Sequence, residues 1–325
     1  MKKLLVCLLS LGVCSLGALA GVTPAVAQQW PNRPIRFIVP WGAGGITDTI
    51  SRMYNERVSA ILGQTIVHEY RPGAAGRIGM GELGRATPDG YTIGMANAGQ
   101  LTIHPNLYAR LPYDADTSFV ILGMMGMSPM ALAVPVQSPV RSVADLRALS
   151  QRRSLNFGTA GIAGPHHLAA ELLRKTGVAG VPIHYRGGGG EIMAAMLNGA
   201  LDANFDTVYQ QNIFQQDGRY RILAVTSRER MPQLPDVPTF AELGNPEINL
   251  ETFYAAAAPS GVPAPIIARL AAAYAEAARS PEIVSWLQEM ALTNVHLTPP
   301  ELATYIRDWR ERWRLVIEEQ NIRVQ

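Results

Sequence analysis

The chain has 325 residues, with 28 Lys and Arg against 26 Asp and Glu and two cysteines. Its formal charge of +2 falls to 0 once residues 1 to 27 are set aside, because Lys2 and Lys3 lie there and no acid does. A neutral chain is poorly suited to nucleic acid, whose binding rests on many basic contacts to phosphate, and it carries no polybasic run for a membrane surface.

The opening stretch MKKLLVCLLSLGVCSLGALA, followed by Pro24 and Ala25-Val26-Ala27, predicts an export signal cut after Ala27 and hence a periplasmic protein. A retained anchor is the rival, since an apolar run of about 17 residues is the lower edge of what spans a bilayer. The small-residue site and helix-breaking Pro24 favour cleavage. Val13, bulky beside Cys14, argues against lipid attachment. Both cysteines, Cys7 and Cys14, fall inside this signal, so disulfides, thiolate zinc sites and cysteine nucleophiles are excluded together from Gln28 to Gln325. That remainder is long enough for two domains of about 150 residues.

In chain order, IRFIV (35 to 39) reads as a strand. Ile46, Ile50, Met53, Val58, Ile61 and Leu62 then follow at near-helical spacing, ended by Gly63. Strands are expected at TIVHE (65 to 69), YTIGMA (91 to 96), FVILGMM (119 to 125) and MALAV (130 to 134), with Gly126 and Pro129 separating the last two. A second series follows at LNFG (155 to 158), VPIHY (181 to 185), LDANF (201 to 205) and RILAV (221 to 225), then FYAAAA (253 to 258). Helices near 165 to 176 and 188 to 198 end at Gly177 and Gly199. From Pro263 the pattern is helical, and Leu302, Tyr305, Ile306, Trp309, Trp313 and Ile317 make a docking stripe. Strands alternating with helices imply an α/β protein with mostly parallel sheets covered on both faces. The order suits two lobes joined by two strands: residues 28–127 with 250–325, completed by the C-terminal helices, and residues 128–249. A cleft would lie between them.

PWGAGGITD, Pro40 to Asp48, joins the first strand to the first helix. Glycines there let backbone N–H groups approach an anion, and the helix start adds unpaired N–H groups and a positive dipole end. A phosphate-loop reading fails for want of a lysine, since Lys175 is the one lysine after the signal. A dinucleotide fingerprint, Gly42-x-Gly44-x-x-Thr47 with Glu69 about 20 residues on, is a fair rival. Thr47 in place of the third glycine, and export, stand against it. A turn without any ligand remains a third reading. A carboxylate comes first because FGTAGIAGPHH, Phe157 to His167, repeats the strand, loop and helix start, with Thr159 as the expected hydroxyl donor.

Other chemistry is weaker. His166 and His167 point about 100° apart on a helix and cannot easily share a metal ion; one of them can donate to a ligand, with the other packed. GMSPM, Gly126 to Met130, lacks the second glycine of a serine-hydrolase elbow. PDG (88 to 90) and LPDVP (234 to 238) are turn chemistry. Arg71 and Arg77, flanking GAAG, either line the cleft or are solvated.

WPNRPIRFIVPWGAGGITD, RPGAAGRIG, TPDGYT, HPNLYARLPYD and RILAVTSRERMPQLPDVPTFAELG, in this order, resemble the motifs of the Bug family, periplasmic solute-binding proteins of tripartite tricarboxylate transporters. The similarity runs from about Trp30 to the C-terminus. It implies a two-lobed type II periplasmic-binding fold, two α/β domains joined by hinge strands, closing as a monomer on a small mono- or dicarboxylate. It also implies delivery to a membrane permease, with no cofactor, no metal and no catalysis. In the family the two loops hold a ligand carboxylate, partly through ordered water. The implied ligand-binding positions are Ala43, Gly44, Gly45, Thr47, Asp48 and Asn97, then Thr159, Ala160, Gly161, Gly164 and His166. Arg186, Gly187, Gly188 and Asp206 are placed at or near the cleft. Arg186 either pairs with a second carboxylate or is a surface residue. Asp206 would repel a dicarboxylate unless it meets an amine, caps a helix or receives backbone N–H bonds, and ranks below the loops. His184, where the family usually has proline, and the pair His166-His167 leave the ligand's identity open. A dinucleotide-dependent enzyme, or a receptor reporting to a sensor protein, are the alternatives.

Overall fold

The first apolar run forms β1, Ile35–Val39, and the helical spacing behind it forms α1, Ile46–Leu62. α1 stops where Gly63 turns left-handed, φ 71°, and returns its N–H to the Ser59 carbonyl. Glycine takes that conformation without a Cβ clash. The computed structural model describes residues 30–162, 164–185, 189–319 and 322–323. The export signal, and the expected ligand positions Arg186, Gly187 and Gly188, lie outside the described residues.

Next come β2 (Ile66–Tyr70), α2 (Arg77–Gly84), β3 (Thr92–Asn97) and α3 (His104–Leu107). β1 pairs in parallel with both β2 and β3. The runs at 119 to 125 and 130 to 134, expected as two strands, are one: β4, Phe119–Pro135. Gly126, at φ 154°, sits where the register shifts, so the chain twists there without breaking off pairing.

The second half contains α4 (Val143–Ser150), β5 (Leu155–Thr159), α5 (Pro165–Lys175), β6 (Gly180–His184), α6 (Gly189–Leu197), β7 (Ala203–Thr207), α7 (Val208–Gln216) and β8 (Tyr220–Val225). β9 (Glu251–Pro259), α8 (Ala264–Arg279), α9 (Pro281–Glu289) and α10 (Pro299–Glu319) close the chain. The strand order is β2-β1-β3-β9-β4-β7-β5-β6, with β8 also on β4. β5 is parallel to β6 and β7, but β9 is antiparallel to β3 and β4, and β4 to β7 and β8. The sheet is therefore mixed rather than mostly parallel. The reason is that β4 and β9 are connections between halves, running side by side in opposite directions, and belong to no strand–helix–strand repeat.

β4 pairs with β9 from Phe119↔Pro259 to Pro129↔Glu251, then with β7 and β8 from Met130 onward. At this handover the Thr226 hydroxyl accepts from Met130 N–H at 2.8 Å and donates to the Leu250 carbonyl. One side chain thus ties together the two strands that link the lobes.

Each lobe has apolar packing on both faces of its part of the sheet. Ile50, Tyr54, Tyr274 and Leu287 cover one face of the first, and Met80, Leu83 and Phe253 the other. Leu146, Leu168 and Leu172 cover one face of the second, and Ile192, Met196 and Val208 the other. The C-terminal stripe is divided between them. Leu302 and Ile306 of α10 join the cluster of Met80 and Phe253, while Trp313 and Ile317 join that of Leu168 and Phe205. Burying each such side chain stabilises by about 1.5–3 kcal/mol, so α10 is anchored on both lobes and bridges them.

Candidate functional site

The loops that leave β1, β3 and β5 all stand at the C-terminal ends of their strands, the edge where open α/β sheets present backbone to ligands. After β1, Gly44 takes φ 85° and donates its N–H to Asp48 Oδ2 at 2.9 Å. Asp48 Oδ1 accepts from Arg52 Nε and from the Tyr70 hydroxyl, both at 2.8 Å. Burial alone would raise this carboxyl's pKa, but the Gly44 amide, Tyr70 and Arg52 outweigh it and hold the group below its ordinary value. Asp48 is buried and its oxygens are engaged, so it shapes the loop from beneath. A Cβ added at Gly42, Gly44 or Gly45 would meet no atom within 4 Å, so the loop's outer face looks into open space. Ala43 is exposed there, while Thr47 is buried below.

After β3, Asn97 forms a side-chain turn: its Oδ1 accepts from Gly99 N–H at 3.0 Å, and its own N–H donates to Gln100 Oε1 at 3.0 Å. Gln100 Nε2 donates in turn to the Ala75 carbonyl at 3.2 Å. Ala74 and Ala75 hold left-handed backbone, φ 49° and 54°, in the GAAG turn, a conformation that costs a non-glycine residue about 1–2 kcal/mol. Strain of this kind persists where neighbours impose it. Here Gln100 below and the second lobe above do so.

On the second lobe, Gly161 follows β5 at φ 105°, and a Cβ there would stand 3.3 Å from the Ala75 Cβ. Gly164 is the extended N-cap of α5 and offers no side-chain cap, and Pro165 stands at the first helical position. A Cβ on Gly99 would lie 3.6 Å from Pro165 Cδ, so the lobes also meet here. The structure therefore brings Gly161 against Ala75 and Pro165 against Gly99, while a Cβ on Gly164 would meet only the Gly161 carbonyl oxygen, at 4.0 Å; Ala160 lies between the strand and the turn. The first-lobe atoms facing Gly161 are those of Ala75, and not those of the Gly42–Gly45 loop.

Thr159 is wholly buried, with Oγ1 2.6 Å from His184 Nδ1. The hydroxyl expected to reach a ligand is engaged inside its own lobe. His184 thus acquires a role as the partner of Thr159, and its ring also lies edge-on to His167, centroids 5.1 Å apart. Burial, aided by the charges of His184 and Arg174, lowers the His167 pKa to about 4, which makes it a neutral packed group. His166 points elsewhere, its Nε2 3.4 Å from Asp206 Oδ1. Asp206 Oδ1 also accepts from Thr207 N–H at 2.7 Å, one of the ways foreseen for relieving its charge, and Oδ2 lies 3.8 Å from where a Cβ on Gly189 would be.

Of the two arginines beside GAAG, Arg71 is consumed in an ion-pair square. It meets Glu69 and Glu82, each at 2.8 Å, and Arg36 meets the same two carboxylates. Glu69, which a dinucleotide reading would assign to a ribose, is neutralised by this square. Arg77 donates Nε to the Ala74 carbonyl at 2.9 Å and lies 3.7 Å over the Tyr108 ring, with no acidic partner among the described residues. Sequence reasoning missed Ala75 and Gln100, although RPGAAGRIG was among the recognised motifs. An alanine in left-handed backbone carries no local signal, and glutamine in an apolar stretch reads as filler. Two cavities of about 280 and 390 Å³ lie along α10, lined by Leu101, Phe119 and Arg310 in one case and Arg228, Asn249 and Arg312 in the other. Neither includes these loops. Among the described residues no group of three or more His, Cys, Asp or Glu could hold a metal ion.

Residues 50–322 match the family described as tripartite tricarboxylate transporter family receptors. A relative from Pseudomonas sp. strain P51, the UPF0065 protein in the tcbD-tcbE intergenic region, is 33% identical over 94% of this chain and 93% of its own. Among solved structures, R. palustris Rpa4515 with adipate superposes with a TM-score of 0.86 at 28% identity, over 90% of this chain and 99% of that one. MatC from Rhodopseudomonas palustris with bound malate gives 0.84 at 26% identity, over 89% and 100%.

Proposed function

The chain belongs to the tripartite tricarboxylate transporter receptor family, a family of periplasmic solute-binding proteins and not of enzymes, and from that premise we propose that it captures a small organic carboxylate by lobe closure and delivers it to the transporter's membrane permease. The observation that carries this reading is the meeting of strand-end turns from both lobes, Gly161 against Ala75 and Pro165 against Gly99. A solute held there touches backbone from each lobe at once, so its binding energy shifts the balance toward the closed form. α5 begins at Gly164 without a side-chain cap, so the positive end of its dipole faces the seam, and Arg77 adds a cation on the first lobe. Malate and adipate, bound by the two related proteins, are both small carboxylates, which favours the same class here.

Residues 28–127 with 250–325 form the first domain in this reading and 128–249 the second, joined by β4 and the chain leading into β9, with α10 following the motion. Export with cleavage after Ala27 delivers a monomer to the periplasm; among the described residues no helix is long and apolar enough to cross a membrane. A thermal-shift screen of mono- and dicarboxylates against the purified chain tests the proposal. At least one acid at 100 times its Kd stabilises by about 2.7 kcal/mol, a melting shift of several degrees. A response to nucleotides alone, or to no carboxylate, would overturn it.

A further inference from the structure

His104 opens α3 just beyond the turn made by Asn97, with none of its surface exposed. Its Nδ1 lies 3.2 Å from the Tyr113 hydroxyl, which lies 3.1 Å from the Gln100 carbonyl. A carbonyl only accepts, and tyrosine has one proton to give. Tyr113 therefore donates to Gln100, His104 donates from Nδ1 to Tyr113, and Nε2 is left with a lone pair. That buried nitrogen has no hydrogen-bond partner among the described residues.

Its surroundings say what it faces. The point that a Cβ on Gly99 would fill is 3.9 Å from His104 Nε2, 3.3 Å from Asn97 Oδ1 and 3.6 Å from Pro165 Cδ. This is the seam between the lobes, with an unused acceptor on one side and the uncapped N-terminus of the 11-residue α5 on the other. Pro165 has no N–H to give, so the His166 amide is the first of the turn that can face a carboxylate. Burial, with the Arg77 charge adding to it, lowers the His104 pKa to about 3. The ring stays neutral and offers the solute an acceptor and no charge. A buried acceptor left without a donor is costly, so the site favours a solute that brings one. An ammonium would sit close to the Arg77 cation; a hydroxyl would not add charge.

Resting on the carboxylate-receptor reading above, we infer that His104 Nε2 accepts a hydrogen bond from a hydroxyl carried by the bound acid, which makes it a specificity-determining residue that selects hydroxy acids over their deoxy counterparts.

Calorimetry with matched pairs, malate against succinate, lactate against propionate and 3-hydroxybutyrate against butyrate, tests this on the wild-type chain. The hydroxy acid of at least one pair should bind roughly tenfold to a hundredfold more tightly than its partner. His104→Leu should abolish that preference while keeping the deoxy affinity, and His104→Gln, whose amide oxygen reaches towards the same point, should restore part of it. Should the variants fail to fold, the ¹⁵N resonance of Nε2 in histidine-labelled wild type gives the same answer, moving with the hydroxy acid and not with the deoxy one. Binding of several acids with no hydroxyl preference, a preference that survives His104→Leu, or an unmoved Nε2 resonance overturns the inference and leaves the receptor reading standing. Binding of no carboxylate at all overturns both.

Discussion

The loops after β1 and β5 look alike in sequence, each an apolar strand, a run of small residues and a helix start. The fold uses them differently. At Gly42–Gly45 the chain supplies its own anion: Asp48 takes the Gly44 amide and is held by Arg52 and Tyr70, so part of the cradle is filled from within. At Gly161–Gly164 no side chain caps α5, and the turn stands against Ala75 of the opposite lobe. A glycine-rich loop is available to a ligand only to the extent that its own neighbours leave its amides unpaired. In the proposed function the second loop, with no side-chain cap, is the one assigned to the anion, and the first is assigned the part of a preformed wall.

Substitution at Gly161 should separate the two loops most sharply. Gly161→Val forces a branched side chain into left-handed backbone and towards Ala75, and should weaken ligand binding about tenfold or more by opposing closure. Titration of the best ligand from the carboxylate screen checks this, and unchanged affinity would remove Gly161 from the seam.

Next in size is the wall. Asp48→Asn leaves the side chain's bulk but removes its charge, and should cost about 1–2 kcal/mol at pH 7 in urea unfolding. The folded pKa of Asp48 lies below its unfolded value of about 3.9. Its contribution is therefore complete above that pH and is lost as pH falls through the folded value. The gap between wild type and variant should narrow at pH 3; an equal gap at both pH values would mean that charge is not what matters.

Smallest is Thr159→Val. Loss of the hydroxyl facing His184 should lower stability by about 1 kcal/mol and change ligand affinity by less than about threefold. A tenfold loss of affinity at unchanged stability would show that the hydroxyl turns to the ligand after all.

Much of the frame was legible from residues alone. Apolar runs placed the strands other than β4 to within a residue or two, and helical spacing placed α1, α5, α6 and the C-terminal helical region while α2, α3, α4 and α7 went unread; Gly63, Gly177 and Gly199 take the left-handed backbone expected at helix ends. Those features depend on neighbours a few positions apart. The long motifs shared with a receptor family did as much for the overall architecture. What failed was longer in range. Gly126 and Pro129 read as a break, yet β4 continues because β9, and then β7 and β8, hold it on both sides of the shift. The C-terminal stripe read as one docking face, yet it serves two cores.

The order of strands and helices, the helix stops and the glycine-rich turns follow from this chain's local chemistry, because pattern and backbone preference act over one or two turns. Only the tertiary structure decided that Asp48 fills its own loop, that a strained alanine meets Gly161 across the seam, and that His104 keeps a lone pair there. The last two depend on residues far apart in sequence being packed together, and Asp48, although Gly44 and Arg52 are only four residues away, needs Tyr70 of β2 as its third partner, which no local pattern encodes.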